Sequence, residues 1–369
     1  MQQLVRPSHF AALCLVNNAF YTFAIPCLYE RAFIYAWHKE GKAKVVKLFR
    51  TLSTCPHLAK HVQRLEIRDF PKSFYVAEHE ATLQLCLSGI KNCVNLRACT
   101  WTRDGSLTTE ILEALLPCAH LGELEINGNH ENHYDPWVLR KFTHLRRISL
   151  IMPRHAVIDV LPAWTMATGS TLRHLTILCK TPGTVNDTAL QEMAPNVPNL
   201  ERLYIAGCVK VTERGVWAVL SENTHGLLAL GMEGLSPSFV RISSSSDLCT
   251  RHNALARLRS ITLTIDGSPT WKKDVLSLLH PAPLEQFHIS TIGGNVGPTL
   301  EDVPMIARDQ ILDIVKQSGP SLMQFGYNTR VFQVERIVHR KEDGSLEAET
   351  WLGPYESPEV PEQFLVVRT

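Results

Sequence analysis

Three side chains with metal-binding chemistry lie close together in this sequence, namely His130, His133 and Asp135. Imidazole and carboxylate groups are common zinc ligands. A zinc site would need a second pair of ligands at a similarly close spacing, and no such pair follows. The pattern therefore favours an ordinary loop, and we expect no metal and no other cofactor.

The ten cysteines could supply a nucleophile or a disulfide framework. They are too sparse for a disulfide scaffold, and no Cys-x-x-Cys pair occurs. Cys93, Cys118 and Cys208 stand near expected turns, where cysteine serves as a small buried residue. The motifs Gly-x-Ser-x-Gly, His-Glu-x-x-His and the P-loop are absent. We therefore expect a protein that is not an enzyme.

Composition narrows the class of partner. Hydrophobic residues make up 45% of the 369 residues, which is enough to form a folded core. The 37 Lys and Arg residues nearly balance the 36 Asp and Glu residues, which argues against a dedicated nucleic-acid or polybasic membrane binder. No apolar run reaches the roughly 20 residues of a membrane span. We expect a soluble cytoplasmic or nuclear protein whose partners include neither nucleic acid nor membrane.

A hydrophobic signature, Leu-x-x-Leu-x-Ile, returns along most of the chain and indicates the elements that carry any binding site. Its clearest copy is Leu200, Leu203 and Ile205, followed by Cys208. Seven of the nine steps between successive copies lie within 24–31 residues, close to the roughly 20–29 residues of a leucine-rich repeat. The ten copies begin at Val62, Leu96, Leu121, Leu145, Leu172, Leu200, Leu227, Leu258, Leu284 and Leu322.

The segments between the signatures predict short helices. Thr108, Asn186 and Thr212 stand where a helix N-cap belongs, and acidic residues follow each of them within or near the first turn. Apolar residues at helical spacing come next. One unit is therefore a strand, a turn, a helix and a return.

Residues 58–330 resemble the cysteine-containing subclass of leucine-rich repeats. The resemblance implies an α/β solenoid of about ten repeats over residues 37–330, with a curved parallel sheet and helices on the convex side. Stacked units bury an apolar face that a single unit leaves exposed. Val331–His339 and Leu346–Trp351 predict a β-hairpin joined through Glu342–Gly344, which would cap the last repeat within residues 331–369. Residues 236–247 and 293–304 predict loops, and Pro354–Thr369 an irregular tail.

The N-terminal segment predicts a helix with one apolar stripe. Phe10, Leu13, Val16 and Phe20 recur at steps of three and four residues. Pro26 is expected to stop or bend this helix. The segment can also serve as a cap on the first repeat, since solenoid ends need covering.

Residues 15–20 and 24–29 resemble the second half of an F-box. The segment that contains them begins at Ser8, and only Met1 to Pro7 precede it, so the resemblance implies a shortened F-box within residues 1–36. Fungal F-box proteins with leucine-rich repeats dock the F-box on the adaptor of an SKP–cullin–F-box ubiquitin ligase and hold substrates on the repeats for degradation. The alternative is a repeat protein without ligase coupling. The implied adaptor-binding residues are Phe10, Leu13, Leu15, Val16, Phe20, Pro26, Leu28 and Tyr29.

Side chains alternate between the two faces of a strand, which predicts where a protein substrate binds. The Leu and Ile residues of each signature point inward, and the residues between them point outward onto the concave face. Ile151, Leu178 and Ala206 are expected to form one apolar column beside Tyr204. The predicted substrate-binding residues are Glu125, Asn127, Ile151, Thr176, Leu178, Tyr204, Ala206 and Glu233.

Overall fold

The structure is a computed structural model. It describes residues 7–70, 76–131, 133–181, 183–235, 255–265, 272, 275–276, 282–291, 306–328, 330–340 and 346–355. The predicted loops at 236–247 and 293–304, the hairpin turn at 342–344 and all but the first two residues of the predicted tail lie outside them. The chain divides into two compact units, residues 1–178 and 179–369.

Unit 1, residues 1–178, alternates strands with helices. The strands pair in parallel in chain order from β1 to β6. A 3₁₀-helix, Pro136–Lys141, takes the helix position between β4 and β5. The elements are α1 Pro7–Leu13, α2 Asn18–Tyr29, β1 Arg31–Ile34, α3 Gly41–Thr54, α4 Pro56–Ala59, β2 Arg64–Ile67, α5 Val76–Asn92, β3 Ala98–Trp101, α6 Thr109–Leu115, β4 Glu123–Asn127, β5 Arg147–Ile151, α7 His155–Thr168 and β6 His174–Leu178.

Unit 2, residues 179–369, continues the pattern and ends in a hairpin. Strands β7 to β11 pair in parallel, and β12 and β13 follow in antiparallel order. A 3₁₀-helix, Ala194–Asn196, follows α8. The elements are α8 Asp187–Met193, β7 Arg202–Ala206, α9 Glu213–Glu222, β8 Ala229–Glu233, β9 Ser260–Ile265, β10 Gln286–Thr291, α10 Arg308–Gln317, β11 Gln324–Tyr327, β12 Arg330–Arg340 and β13 Leu346–Pro354.

The inward positions of the signature form the core of each unit. Leu124 and Ile126 of β4 are fully buried, as are Leu203 and Ile205 of β7. In unit 1, Phe49 of α3 packs against Trp101 of β3, with ring centroids 5.9 Å apart. These strands and helices form leucine-rich repeats, which confirms the predicted fold.

The predicted helix starts are also confirmed. The Asn186 side chain accepts a hydrogen bond from the Ala189 backbone N–H at 3.0 Å, and Thr108 and Thr212 cap α6 and α9 in the same way. Such a cap contributes about 1 kcal/mol, because it satisfies a backbone donor that has no partner within the helix.

The N-terminal segment differs from the single predicted helix. A turn at residues 14–17 divides it into α1 and α2, because the Asn17 side chain accepts a hydrogen bond from the Phe20 N–H at 3.0 Å and begins a new helix. Pro26 does not stop α2, which runs through to Tyr29, and the Glu30 N–H still bonds to the Pro26 carbonyl at 2.9 Å.

Candidate protein-binding surfaces

The helix pair, α1 with α2, presents apolar side chains to solvent. Leu15 is 88% exposed and Val16 is 60% exposed, and both lie in the turn between the two helices. Phe20 and Phe23 on α2 are also exposed. Neighbouring apolar side chains that are exposed on a soluble protein commonly mark a site where another protein binds. The remaining predicted adaptor-binding residues are half-buried, namely Phe10, Leu13, Pro26, Leu28 and Tyr29.

Other residues of α2 attach the pair to the first repeat. Ala24 and Ile25 are buried. The Glu30 carbonyl, one residue after α2, accepts hydrogen bonds from the backbone N–H groups of Gln63 and Arg64, both at 2.9 Å. The residues that cap the first repeat are therefore different from those that form the exposed apolar surface, so α2 can serve in both roles.

The outward side of unit 1 carries ion pairs. The Arg31 guanidinium donates to both carboxylate oxygens of Glu66, at 2.6 and 3.0 Å, and to the Tyr35 hydroxyl at 2.6 Å. Burial would raise the pKa of Glu66, but the hydrogen bonds and charge of Arg31 outweigh it, so this pKa lies below its usual value. Arg68 of unit 1 pairs with Glu125 at 2.9 Å.

Glu125 is the one predicted substrate-binding carboxylate in unit 1. Burial raises the pKa of Glu125, and the Arg68 charge opposes the shift. Thr176 and Leu178 of β6 are half-buried and remain accessible in part.

Two predicted contact residues of unit 1 are not exposed. Asn127 is 2% exposed, because its amide donates to the Thr102 carbonyl at 3.0 Å and its oxygen accepts from the Asn129 N–H at 2.8 Å. Ile151 is 4% exposed. Alternation places both side chains on the outward face, but neighbouring strands lie only about 4.8 Å apart, and adjacent groups can cover a side chain there. The expectation that Asn127 and Ile151 are open to a substrate is therefore wrong.

The outward side of unit 2 carries aromatic rings over glycines. Tyr204 of β7 faces Gly231 of β8 in register, and a Cβ at Gly231 would overlap the tyrosine ring. Burial raises the pKa of Tyr204, and the neighbouring Glu233 carboxylate raises it further. Burial also raises the pKa of Glu233, and the nearby Tyr204 hydroxyl opposes the shift. Tyr204, Ala206 and Glu233 are all half-buried.

An aromatic cluster in unit 1 was not predicted from the sequence. Trp37 is 69% exposed and stacks on Tyr35, with ring centroids 4.5 Å apart and planes 12° from parallel. The cluster follows β1, which lacks the Leu-x-x-Leu signature and precedes the first predicted repeat. The short apolar run of Ala32, Phe33 and Ile34 was the only signal for this strand.

The residues with metal-binding chemistry have other contacts. The Asp135 carboxylate accepts a hydrogen bond from the Trp137 N–H at 3.0 Å, and the His130 ring lies 6.0 Å from that of Tyr134. In the part of the chain that the structure describes, no three His, Cys, Asp or Glu side chains group as metal ligands. No described helix is long and apolar enough to cross a bilayer.

Comparison with known proteins found similarity to solved structures alone. No protein-family model matches the chain, and no curated protein matches it. A leucine-rich repeat-containing protein, LegL7 from Legionella pneumophila, is similar with a TM-score of 0.46 at 10% identity, covering 86% of this chain and 95% of that chain. The Rad7 and Elc1 complex in yeast is similar with a TM-score of 0.38 at 14% identity, covering 77% and 82%. At these scores no function carries over to this chain.

Proposed function

We propose that this chain is a non-enzymatic substrate receptor of an SKP–cullin–F-box ubiquitin ligase. In this role the helix pair binds the ligase adaptor, and the leucine-rich repeats hold a protein substrate that is then degraded. The chain would act in the cytoplasm or nucleus and would carry no catalytic residue or cofactor of its own.

The observation that carries this proposal is the exposed apolar surface of the helix pair. Leu15 and Val16 are directed to solvent, although burying either side chain would be favourable by about 1.5–3 kcal/mol. Phe20 and Phe23 extend this surface along α2. The segment is also the one that resembles an F-box in sequence, so the sequence resemblance and the exposure of these side chains support the same docking surface.

The test is a pull-down of the full chain with the purified adaptor. The variants Leu15→Asp and Val16→Asp should each weaken adaptor binding by at least about tenfold, since a buried carboxylate without a partner costs more than the roughly 1.4 kcal/mol of a tenfold change. Val94→Asp is the matched control, because Val94 is 57% exposed and lies in the loop before β3.

Three results are informative. Loss of binding in the helix-pair variants with binding retained in Val94→Asp supports the receptor function. Equal loss in all three variants contradicts a specific docking surface. A wild-type chain that captures a protein but not the adaptor would leave the alternative, a repeat protein that binds other proteins without ligase coupling.

A further inference from the structure

One edge of the sheet in unit 1 is strongly basic. The stretches that lead into β2 to β6 are residues 57–64, 93–98, 118–123, 143–147 and 169–174, and because these strands are parallel their starts lie at one edge. We call these stretches the basic rim. They contain six Lys and Arg residues, five His residues and a single acidic residue, Glu123. The six are Lys60, Arg64, Arg97, Arg146, Arg147 and Arg173.

Backbone hydrogen bonds align three of these arginines. The Gly122 N–H bonds to the Arg97 carbonyl at 2.9 Å, and the Arg173 N–H bonds to the Arg146 carbonyl at 2.9 Å. Arg146 in turn donates to the Gly122 carbonyl at 2.6 Å. Arg97, Gly122, Arg146 and Arg173 therefore occupy one column across the starts of four strands, with Arg97 and Arg146 roughly 10 Å apart at the backbone.

Two of the arginines have no carboxylate partner among the residues that the structure describes. Arg64 pairs with Glu123 at 3.2 Å. Arg97 and Arg146 are exposed, and no described carboxylate lies within ion-pair distance of either. Between them, Gly122 leaves open space, since a Cβ there would meet only the His120 carbonyl oxygen, at 4.0 Å. Two exposed guanidinium groups thus flank an open position.

The excess of basic over acidic residues is confined to the basic rim, because the opposite edge of the same sheet does not share it. The described residues that follow β2 to β5 contain three arginines and four acidic residues. Each arginine there has a carboxylate close by. The pairs are Arg68 with Glu125 at 2.9 Å, Arg103 with Asp69 at 3.9 Å and Arg154 with Glu131 at 2.9 Å.

The rim fits an acidic protein segment better than a nucleic acid. Its five stretches contain no Phe, Tyr or Trp on which a base could stack. The Glu123 carboxylate, one residue from Gly122, would oppose a continuous run of phosphates. A peptide can place its carboxylates only where the guanidinium groups stand, and paired Arg–carboxylate hydrogen bonds favour that match.

We propose that the basic rim of unit 1 binds an acidic segment of a protein partner, with Arg97 and Arg146 as its principal contacts. As an assignment of substrate chemistry, it rests on the proposed receptor function. The binding itself can be measured without the ligase.

The test measures binding of a fluorescein-labelled oligoglutamate peptide to the full chain by fluorescence anisotropy. Arg97→Glu combined with Arg146→Glu should weaken binding at least about tenfold, and added salt should weaken binding to the wild type. The matched control is Lys42→Glu with Lys47→Glu, which makes the same charge change on the exposed side of α3 and should alter affinity less than about twofold.

A second pair of variants does not disturb the arginines. Gly122→Glu places a carboxylate between Arg97 and Arg146 and should compete with the peptide, whereas Gly122→Gln adds a neutral side chain of the same size and should bind more tightly than Gly122→Glu. Thermal unfolding followed by circular dichroism checks that all variants remain folded.

Several results would overturn the proposal. These are absence of peptide binding by the wild type, equal losses in the rim and α3 variants, and equal affinities for Gly122→Glu and Gly122→Gln. Tighter binding of a single-stranded oligonucleotide than of the peptide would also overturn it and point to a nucleic acid. Leu15→Asp should retain peptide binding, so failure of the rim and failure of adaptor docking are measured separately.

Discussion

The outward sides of the two units are stabilised by different interactions, although the same repeat builds both. Unit 1 places charged groups in adjacent strands, as in Arg31 with Glu66. Unit 2 places aromatic rings over glycines, with Tyr204 over Gly231 and His288 over Gly326. The repeat thus determines the backbone and the inward residues, and the outward residues are free to specialise. The two sides should respond differently to pH and to added side-chain volume.

The largest expected difference is a loss of stability in unit 2 at acid pH. Burial lowers the pKa of His288 to about 4, although a hydrogen bond with the Asn328 backbone opposes the shift. Below the ordinary histidine pKa of about 6.5, the His288 ring binds a proton in the unfolded chain but stays neutral in the folded chain. The stability of the folded chain therefore falls as pH drops from about 6.5 to about 4. The total loss is about 3 kcal/mol, at about 1.4 kcal/mol per pH unit.

Urea unfolding across this pH range would measure the effect. His288→Gln lacks the titrating group, so its stability should depend less on pH than that of the wild type. Identical pH slopes for the two proteins would contradict a buried neutral histidine.

The next effect is steric. Gly231→Ala should destabilise unit 2 by about 1–3 kcal/mol, because the new Cβ overlaps the Tyr204 ring. Gly122→Ala in unit 1 adds the same methyl group in open space and should change stability by less than about 1 kcal/mol. Chemical denaturation of both variants would test the contrast. Adding Tyr204→Ala to Gly231→Ala should recover part of the loss, and a purely additive double variant would argue against a ring contact.

The smallest effect concerns the ion pair. Glu66→Gln should destabilise unit 1 by about 1–2 kcal/mol, because Arg31 loses charge-assisted hydrogen bonds but remains half exposed to water. The pKa of Glu66 is lowered in the folded chain, so the contribution is present above the ordinary glutamate pKa and is lost as pH falls below it. The difference in unfolding free energy between wild type and Glu66→Gln should therefore shrink at acid pH. A constant difference across that range would contradict the pairing.

The sequence predicted the inward half of this structure better than the outward half. Leu124 and Ile126 are buried as expected, because their spacing matches the two-residue period of a strand. The burial of Asn127 could not be predicted, since it depends on the Thr102 carbonyl of the neighbouring repeat. Strand β1 was missed because Arg31–Ile34 contains no leucine. The predicted adaptor-binding residues and the predicted domain boundaries at 36/37 and 330/331 remain predictions.

The two backbone bonds to Glu30 have a mechanical consequence. They join the end of α2 to the start of β2, and β1 begins at the next residue, so no tether separates the helix pair from the first repeat. In the proposed ligase, a substrate held by unit 1 would be presented to the ubiquitin-charged enzyme in a set orientation and at a set distance. The choice of lysine would then follow from geometry, and lengthening the chain at Glu30 with glycines should broaden the set of lysines that are modified.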